Sequence, residues 1–288
     1  MKLKLRNGES LQLQNSQDRM LKMLYGNCVG RLLLKPLTRP FISKIAGKFL
    51  STKFSCRFIK SFVKSNNIDM NLFEDVEYKS YNEFFCRKIK PEHRIVDMNP
   101  NILISPCDSK LTVMKIDDET RFVLKHTQYS VASLLKNDII ASEYNGGYVL
   151  IFRLAVDDYH RYCYIDNGTK EENIIIPGKF HTVMPIANDY FPIYKENTRS
   201  YSVLHSENFG DVIMMEVGAL LVGRIVNLHE KASISKGQEK GYFEFGGSTV
   251  VLLFKAGTIE IDEDILKNSS EDFETVVKYG EKIGTKRI

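Results

Sequence analysis

The chain has 288 residues, 43% of them hydrophobic, so it can bury the core of one large domain or two modest ones. No apolar run reaches the roughly 18 residues of a membrane-spanning helix, and the basic N-terminus lacks the apolar segment of a signal peptide, so we expect neither. The five cysteines are scattered and form no CxxC pair. This argues against a disulfide framework or a zinc site and favours a reducing, intracellular setting.

Charge is distributed unevenly along the chain. The net charge is +4, yet residues 1–64 hold 14 Lys/Arg and 2 Asp/Glu. That segment therefore carries +12 and the remainder −8. A strongly basic N-terminal segment on a mildly acidic remainder predicts an anionic partner. Because no recognised nucleic-acid-binding module accompanies the charge, a membrane surface is favoured over nucleic acid.

The first predicted elements are a hairpin and a set of helices. The segment KLKLRNGESLQLQ alternates apolar and polar residues around Asn7-Gly8, which is typical of a tight β-hairpin. From about residue 17 to 65 the period is helical, with lysines and arginines among or opposite the apolar positions. Those apolar positions include Ile42, Ile45, Ala46, Phe49, Leu50, Phe54, Phe58, Ile59, Phe62 and Val63. Two interpretations stay open from the pattern alone: helices packed on the body with a solvated basic face, or a basic amphipathic surface resting on anionic lipid headgroups.

The rest of the chain is predicted to be rich in strands. Residues 81–97, YNEFFCRKIKPEHRIVD, indicate a helix followed by a proline-containing exit. Beyond residue 100, short apolar runs separated by Gly, Pro and Asn predict antiparallel strands, interrupted by one helix near Val131–Leu135. We therefore predict an α+β fold, with a β-rich antiparallel catalytic core over residues 69–288. The hairpin and N-terminal amphipathic helices occupy residues 1–68.

Three polar clusters lie at the ends of apolar strands. Asp108 lies in ISPCDSKL, His160 in FRLAVDDYHRYCYIDNG, and Ser248 follows two glycines in YFEFGGSTVVLLF. Each has a structural explanation by itself: a turn cap, a satisfied core histidine and a β-bulge. Together they suggest a nucleophile, its base and the residue that orients the base, although most proteins contain all three residue types.

The order of these clusters, with their surroundings, resembles the phosphatidylserine decarboxylase family, in particular its bacterial, clostridial-type subgroup. GGST alone is a weak signal, but six ordered segments that end in it are specific. The N-terminal hairpin and helices look like the same subgroup less specifically. From about residue 70 onward the matching segments are YNEFFCRKIKPEHRIVD, SPCDSKL, DDYHRYCYIDNG, GKFHTVMPIA, EVGALLVGRI and KGQEKGYFEFGGSTVVLLF.

The resemblance implies a proenzyme that cuts itself between Gly247 and Ser248. The serine hydroxyl attacks the preceding carbonyl, an acyl shift gives an ester, and β-elimination followed by hydrolysis leaves a covalent pyruvoyl group and ammonia. The products are a β chain of residues 1–247 and an α chain of residues 248–288, which form a heterodimer. Further oligomerisation is left open.

The pyruvoyl group made from Ser248 is then the implied cofactor, and no metal is implied. It condenses with the amine of phosphatidylserine as a Schiff base and accepts the electrons released when CO2 leaves, so the product is phosphatidylethanolamine. His181 and Gly246 are expected to line the pocket.

The resemblance also implies roles for the polar residues. His160 is the expected base for Ser248 and a proton donor in the decarboxylation. Asp108 is expected to hold the imidazole in the useful tautomer and to stabilise its charged form. His181 and His205 are lesser candidates for the base.

Two departures from the family pattern are visible. Many relatives have Ala and Gly around the aspartate, where this chain has Cys107 and Ser109. Many bacterial relatives carry a second histidine three positions after His160, where this chain has Cys163. Any role of that second histidine must fall to His160 or to another group.

The implied substrate has two acyl chains, so its site must open toward a bilayer. This favours the lipid-facing interpretation of residues 17–65 and predicts a peripheral enzyme on the cytoplasmic face of the bacterial cell membrane. Two other classes remain as alternatives. One is a serine hydrolase acting through Ser248, His160 and Asp108, although the chain lacks the GxSxG elbow. The other is an unprocessed protein that binds membrane surfaces.

Overall fold

The computed structural model describes most of the chain. The described residues are 2–12, 24–27, 30, 32, 38, 40–124, 127–183, 191–219, 224–246 and 248–287. Much of the segment 17–39, for which helices were predicted, lies outside the described residues.

Strands dominate the described part of the chain. They are β1 (Lys2–Lys4), β2 (Ser10–Gln12), β3 (Ile102–Ile104), β4 (Ser109–Lys115), β5 (Arg121–Leu124), β6 (Thr127–Ser130), β7 (Tyr148–Leu154), β8 (Arg161–Cys163), β9 (Gly168–Lys170), β10 (Ile174–Ile176), β11 (Arg199–Ser206), β12 (Gly210–Gly218), β13 (Ile225–Asn227), β14 (Ala232–Ile234), β15 (Glu239–Phe243), β16 (Ser248–Phe254), β17 (Ile259–Ile261), β18 (Glu274–Val277) and β19 (Lys282–Lys286).

Helices are fewer and mostly short. The α-helices are α1 (Pro40–Leu50), α2 (Ile59–Ser65), α3 (Tyr81–Phe85), α4 (Val131–Leu135), α5 (Asp138–Ser142), α6 (Ile193–Glu196) and α7 (Glu263–Ser270). Single 3-10 turns cover Lys53–Phe58, Met70–Leu72 and Pro91–His93. In the described residues no helix is both long and apolar enough to cross a membrane.

Several predicted elements are confirmed. The hairpin at the N-terminus consists of β1 and β2, which pair antiparallel, and Gly8 between them has a positive φ of 89° that suits glycine. Helices α3 and α4 lie where the sequence predicted them. Ser80 caps α3 by accepting a hydrogen bond from the Glu83 amide, which explains where that helix begins. The mixed, strand-rich and mainly antiparallel fold agrees with the predicted class.

One large sheet organises the molecule. It has 11 strands in the order β14-β9-β11-β12-β16-β7-β4-β18-β1-β2, with β10 paired to β11. All of its pairs are antiparallel except β1 with β18. A smaller sheet, β13-β15-β8, carries the strand that follows His160.

The centre of the large sheet is buried on both faces. Every residue of β16 is buried, and alternate residues enter different cores. Val251 and Leu253 belong to one apolar cluster, whereas Val250 and Leu252 belong to the other. Burial on both faces explains why β16 is a continuous apolar run rather than an alternating one.

A third apolar cluster lies beneath the N-terminal helices. Its buried members Tyr81, Phe84 and Phe85 come from α3, and Phe62 of α2 and Phe245 pack against them. Because Phe245 precedes Ser248 by three residues, this layer connects the N-terminal helices with the start of β16.

A buried ion pair joins the large sheet to the small one. Lys240 Nζ on β15 lies 2.7 Å from Glu216 Oε1 on β12, and both side chains are fully buried. The Asn227 side chain of β13 completes the cluster: its amide oxygen accepts from Lys240 and its amide nitrogen donates to Glu216. Since isolated charges are costly to bury, this pair helps to fix how the two sheets lie against each other.

Breaking this pair should destabilise the protein strongly. We expect Lys240→Met to lower the free energy of unfolding by about 3–5 kcal/mol, because Glu216 then stays buried without its partner charge. Adding Glu216→Leu should recover part of that loss, since an apolar pair can replace a buried ion pair at little cost. Urea denaturation of the two single variants and the double variant tests this. If the loss of unfolding free energy in the double variant equals the sum of the losses in the two single variants, the two side chains do not stabilise each other as a pair.

Candidate active site

Ser248 begins the central strand and is fully buried. It lies opposite Gly218 of β12 and Leu154 of β7, so backbone pairing on both sides fixes its position. Its hydroxyl has no hydrogen-bond partner among the described residues. Gly246 has a φ of 134°, a conformation that residues with a side chain rarely adopt. Gly247, the other predicted half of the cleavage site, lies outside the described residues.

His160 lies at the end of the turn that follows β7 and is fully buried. Its Nδ1 is 2.9 Å from the backbone carbonyl oxygen of Asp158, so Nδ1 carries the proton and donates it to that carbonyl. Nε2 has no partner in the described part of the chain. The ring packs on Phe85, with 4.1 Å between ring centroids. This tautomer leaves the Nε2 lone pair available to accept a proton.

Burial controls the charge state of His160. It lowers the pKa of the imidazole from 6.5 to about 4, against the opposing effect of Asp158. Two cations, Arg87 and Lys110, lower the pKa further. At neutral pH His160 is therefore uncharged, which is the form that a general base needs.

The strand pairing brings His160 and Ser248 to the same region. Leu154, directly opposite Ser248, is the last residue of β7, and the turn that begins there ends at His160. From the other side, the Phe243 amide donates to the His160 carbonyl at 2.9 Å, five residues before Ser248. Phe85 also contacts the ring of Phe245, with 5.1 Å between centroids. The pairing thus brings the turn that ends at His160 to the end of the sheet where β16 begins with Ser248.

The predicted contact between Asp108 and His160 is not present, and this is a correction. Asp108 is buried, and its carboxylate receives two hydrogen bonds from Arg94, of which Nε to Oδ1 is 2.8 Å, and one from the Tyr279 amide at 2.8 Å. Burial alone would raise the pKa of Asp108, but Arg94, Lys278 and the Tyr279 amide outweigh it and lower the pKa. The sequence reasoning did not consider Arg94, whose guanidinium binds this carboxylate in place of the imidazole.

Sequence reasoning also missed the actual partner of His160 Nδ1. That partner is a backbone carbonyl, which any residue type supplies, so the residue type carries no signal for it.

His181 lies near the opposite side of Ser248. Its backbone amide donates to the Asn197 side chain at 2.9 Å, and Asn197 in turn donates to the Gly218 carbonyl at 2.8 Å. Gly218 is the residue opposite Ser248, so one buried asparagine links the His181 segment to the serine. The His181 ring stacks on Phe191, with 4.5 Å between centroids. Burial lowers the pKa of His181, although Glu196 opposes this effect.

A cavity opens beside the Gly218 side of the site. Its volume is about 400 Å³. Phe180 and Thr198, which line it, also crowd the Gly218 backbone, where an added Cβ would meet Phe180 at 2.9 Å. A side chain at this position would therefore have to displace the Phe180 ring. The other lining residues are Asn173, Ile175, Arg199, Ser200, Arg224, Ile225, Val226, Asn227 and Glu230.

Two other candidates lie away from this chemistry. His205 is half-exposed and pairs with Asp211, at 2.7 Å between Nδ1 and Oδ1. Asp211 lies seven residues along β12 from Gly218, which places His205 about 23 Å from Ser248. Burial raises the pKa of Cys163 to about 12, so this thiol stays protonated and does not act as a base. Within the described residues no group of three or more His, Cys, Asp or Glu side chains forms a metal site.

Comparison with known proteins shows the family to which the chain belongs. The family model for phosphatidylserine decarboxylase matches residues 81–285. Phosphatidylserine decarboxylase proenzyme 2 of Clostridium acetobutylicum is 49% identical over 275 residues, covering 95% of this chain and 93% of that protein. Phosphatidylserine decarboxylase proenzymes of Clostridium botulinum (strain Kyoto, type A2) and Clostridium tetani are 43% and 42% identical, each over 94% of this chain and at least 93% of the relative. The chain belongs to the phosphatidylserine decarboxylase family.

The low pKa of His160 predicts a specific loss of stability in acid. Between about pH 6.5 and about pH 4 the unfolded chain binds a proton at this histidine and the folded chain does not, so stability falls as pH falls. The loss should reach about 3 kcal/mol. His160→Gln should remove this part of the pH dependence. Urea unfolding at several pH values measures it, with both chains compared in a Ser248→Ala background.

The matched control is His93→Gln, which changes an exposed histidine and should leave the pH dependence as it is. Equal acid sensitivity of the His160 variant and its parent would show that the imidazole is not held neutral.

Proposed function

We propose that the chain is a pyruvoyl-dependent phosphatidylserine decarboxylase that matures by cutting itself between Gly247 and Ser248. The observation that carries the proposal is a buried serine hydroxyl without a hydrogen-bond partner among the described residues, at the start of a fully buried strand. We pair it with His160, a neutral histidine whose Nε2 is equally unpartnered there and whose turn follows the strand next to β16. Membership of the family supports this function and favours neither a serine hydrolase nor a non-catalytic binding protein.

Self-cleavage uses groups that the chain supplies. His160 Nε2 takes the proton from the Ser248 hydroxyl, and Oγ bonds to the carbonyl carbon of residue 247. The carbon–nitrogen bond breaks, the nitrogen takes a proton, and an ester links the two parts of the chain. Loss of the α-proton of residue 248 then breaks the Cβ–Oγ bond and releases the carboxylate of residue 247. Strand pairing on both sides of Ser248 makes the attack a positioned intramolecular step.

The surroundings of Ser248 suit a pyruvoyl group. Hydrolysis of the dehydroalanine left at residue 248 gives this group and releases ammonia. When present, its ketone would bind the substrate amine and accept the electrons of the bond that joins the substrate carboxylate to the α-carbon. His160 is placed to hold or deliver a proton, and His181 and Gly246 contribute to the pocket. The buried apolar walls exclude water from the reacting carbon.

In this proposal Asp108 has a structural role, because it binds the segment that contains Lys278 and Tyr279. Its contacts to Tyr279 and Lys278 reach into the part of the chain that becomes the α chain, whereas Arg94 belongs to the β chain. We assign it to keeping these parts in place around the pocket and not to direct contact with the imidazole.

The two products should remain together as a heterodimer. Strand β16 of the α chain pairs with β12 and β7, and β18 pairs with β4 and β1, all of which belong to the β chain. The buried Arg153–Glu274 pair, 2.6 Å between Nη2 and Oε2, also crosses between the chains. A cut at residue 247 therefore leaves the sheet intact.

The N-terminal helices are proposed to rest on the membrane as a basic amphipathic surface. Phe41 and Phe54 are 69% and 52% exposed, and Ile45, Phe49 and Phe58 are also exposed. Exposed cations surround them: Lys48, Lys53, Arg57, Lys60 and Lys64. Exposed aromatics among cations suit an anionic bilayer such as the cytoplasmic face of a bacterial membrane. The opposite side of these helices packs toward Phe245, so residues 1–68 connect the bilayer with the decarboxylase domain of residues 69–288.

Replacing the proposed nucleophile should stop maturation. We expect Ser248→Ala to remain a single chain, because no hydroxyl is left to attack residue 247, whereas Ser248→Cys should cut slowly through a thioester. Denaturing electrophoresis after expression measures the cut fraction. Ser202→Ala is the matched control, since Ser202 is also buried in the large sheet with a hydroxyl that has no partner in the described residues. Normal cutting of the Ser248→Ala chain would overturn the proposed site.

Removing the exposed phenylalanines should weaken membrane binding. We expect Phe41→Ser with Phe54→Ser to reduce binding to phosphatidylserine-containing vesicles by at least about tenfold, because both rings lose apolar burial in the interface. Vesicle co-sedimentation measures this. The control pair is Ile139→Ser with Val123→Ser, whose side chains are 81% and 57% exposed elsewhere on the surface. Equal effects of the two pairs would argue against this surface.

A further inference from the structure

A buried ion pair holds the turn that carries His160. Lys110 Nζ lies 2.5 Å from Asp158 Oδ2, and both side chains are at least nine-tenths buried. The same carboxylate oxygen accepts the Ala155 amide at 2.7 Å, and the Asp158 amide donates to the Ala155 carbonyl at 3.0 Å. Asp158 thus uses its carboxylate to close the turn and its backbone carbonyl to hold His160 Nδ1.

Lys110 connects this turn to the strand that begins at Ser248. It lies opposite Arg153 of β7, and Arg153 lies opposite Thr249 of β16. The spacing of two strand pairs places the Lys110 backbone about 10 Å from that of Thr249. The ion pair therefore fixes the histidine turn relative to the same ladder that fixes the serine.

The charged groups with the largest effect on His160 come from separate elements. Asp158, on the same turn, raises the pKa of the imidazole, while Lys110 on β4 and Arg87 after α3 lower it. Arg87 also touches this turn, with Nη2 3.5 Å from the Asp157 carbonyl. Asp108, which the sequence suggested for this task, is occupied by Arg94.

We propose that Lys110 and Asp158 are the positioning residues of His160, fixing the tautomer and the place of its ring and balancing the charge around it. The proposal rests on the proposed function, in which His160 is the base for Ser248. Neither side chain touches the reacting atoms. Asp158 acts through its carbonyl and its turn, and Lys110 acts through Asp158.

The first test measures how fast the chain cuts itself. The full-length chain is made in a cell-free reaction, and the conversion of one chain to two is followed by denaturing electrophoresis at neutral pH. Lys110→Gln and Asp158→Asn should each slow the cut by between about 10-fold and about 100-fold, because the ring is less well placed. Lys110→Arg keeps the charge and should restore most of the rate. Lys115→Gln, an exposed lysine on the same strand, is the matched control and should cut at the parental rate.

The second test separates a positioning role from a loss of stability. In the uncut Ser248→Ala background, the His160 pKa is read from histidine side-chain NMR and assigned with His160→Gln. Lys110→Gln leaves the Asp158 charge without a partner and should raise this pKa. Asp158→Asn leaves the Lys110 charge without a partner and should lower it. The double variant should return the pKa toward the parental value.

Opposite shifts together with slower cutting support the proposal. Shifts in the same direction, no shift, or parental cutting rates in both single variants would overturn it. If the parental chain itself stays uncut, the proposed function fails, and the electrophoresis shows this before any variant is compared.

Discussion

The position of Ser248 depends on the register of β16 between β12 and β7. That pairing sets the serine opposite Gly218 on one side and Leu154 on the other. A slip of one residue would turn every side chain of β16 to the wrong core, and both cores are closely filled. The same register delivers His160, because Leu154 is where the turn toward the histidine begins. The register of β16, which is fixed by apolar burial on both faces, thus determines the position of Ser248 and of the turn that carries His160.

Burial then determines what these groups can do. A serine hydroxyl and an imidazole nitrogen without partners in the described residues are costly to keep inside a protein, and such groups concentrate at functional sites. Burial away from solvent keeps the His160 imidazole neutral, and the hydrogen bond to the Asp158 carbonyl fixes the tautomer with the proton on Nδ1. The buried Glu216–Lys240 pair, two residues from Gly218, holds the small sheet of β15 and β8 against the large one. The pocket is therefore supported from both sheets.

Sequence reasoning succeeded where local pattern decides structure. The Asn7-Gly8 turn, the helices at Tyr81–Phe85 and Val131–Leu135, and the antiparallel strands all follow from turn chemistry and periodicity. It missed α5, α6 and α7, which span five, four and eight residues and so contain too few turns for a helical period to stand out. It grouped Ser248 and His160 in one site, which stays a prediction that the pairing of β7 with β16 supports. It did not predict the partner of Asp108. That partner, Arg94, is reached through a tertiary contact, and arginine is too common in the sequence for its presence to reveal the pair.

The central claim is that a serine hydroxyl displaces its own backbone nitrogen and leaves a ketone at residue 248. Intact-mass measurement of the unmodified protein under denaturing conditions tests it most directly. The account predicts two chains, with the smaller one, residues 248–288, lighter by one ammonia than the product of simple hydrolysis at that bond. A catalytically active protein that remains one full-length chain, or a small chain that begins with an ordinary serine, would contradict it.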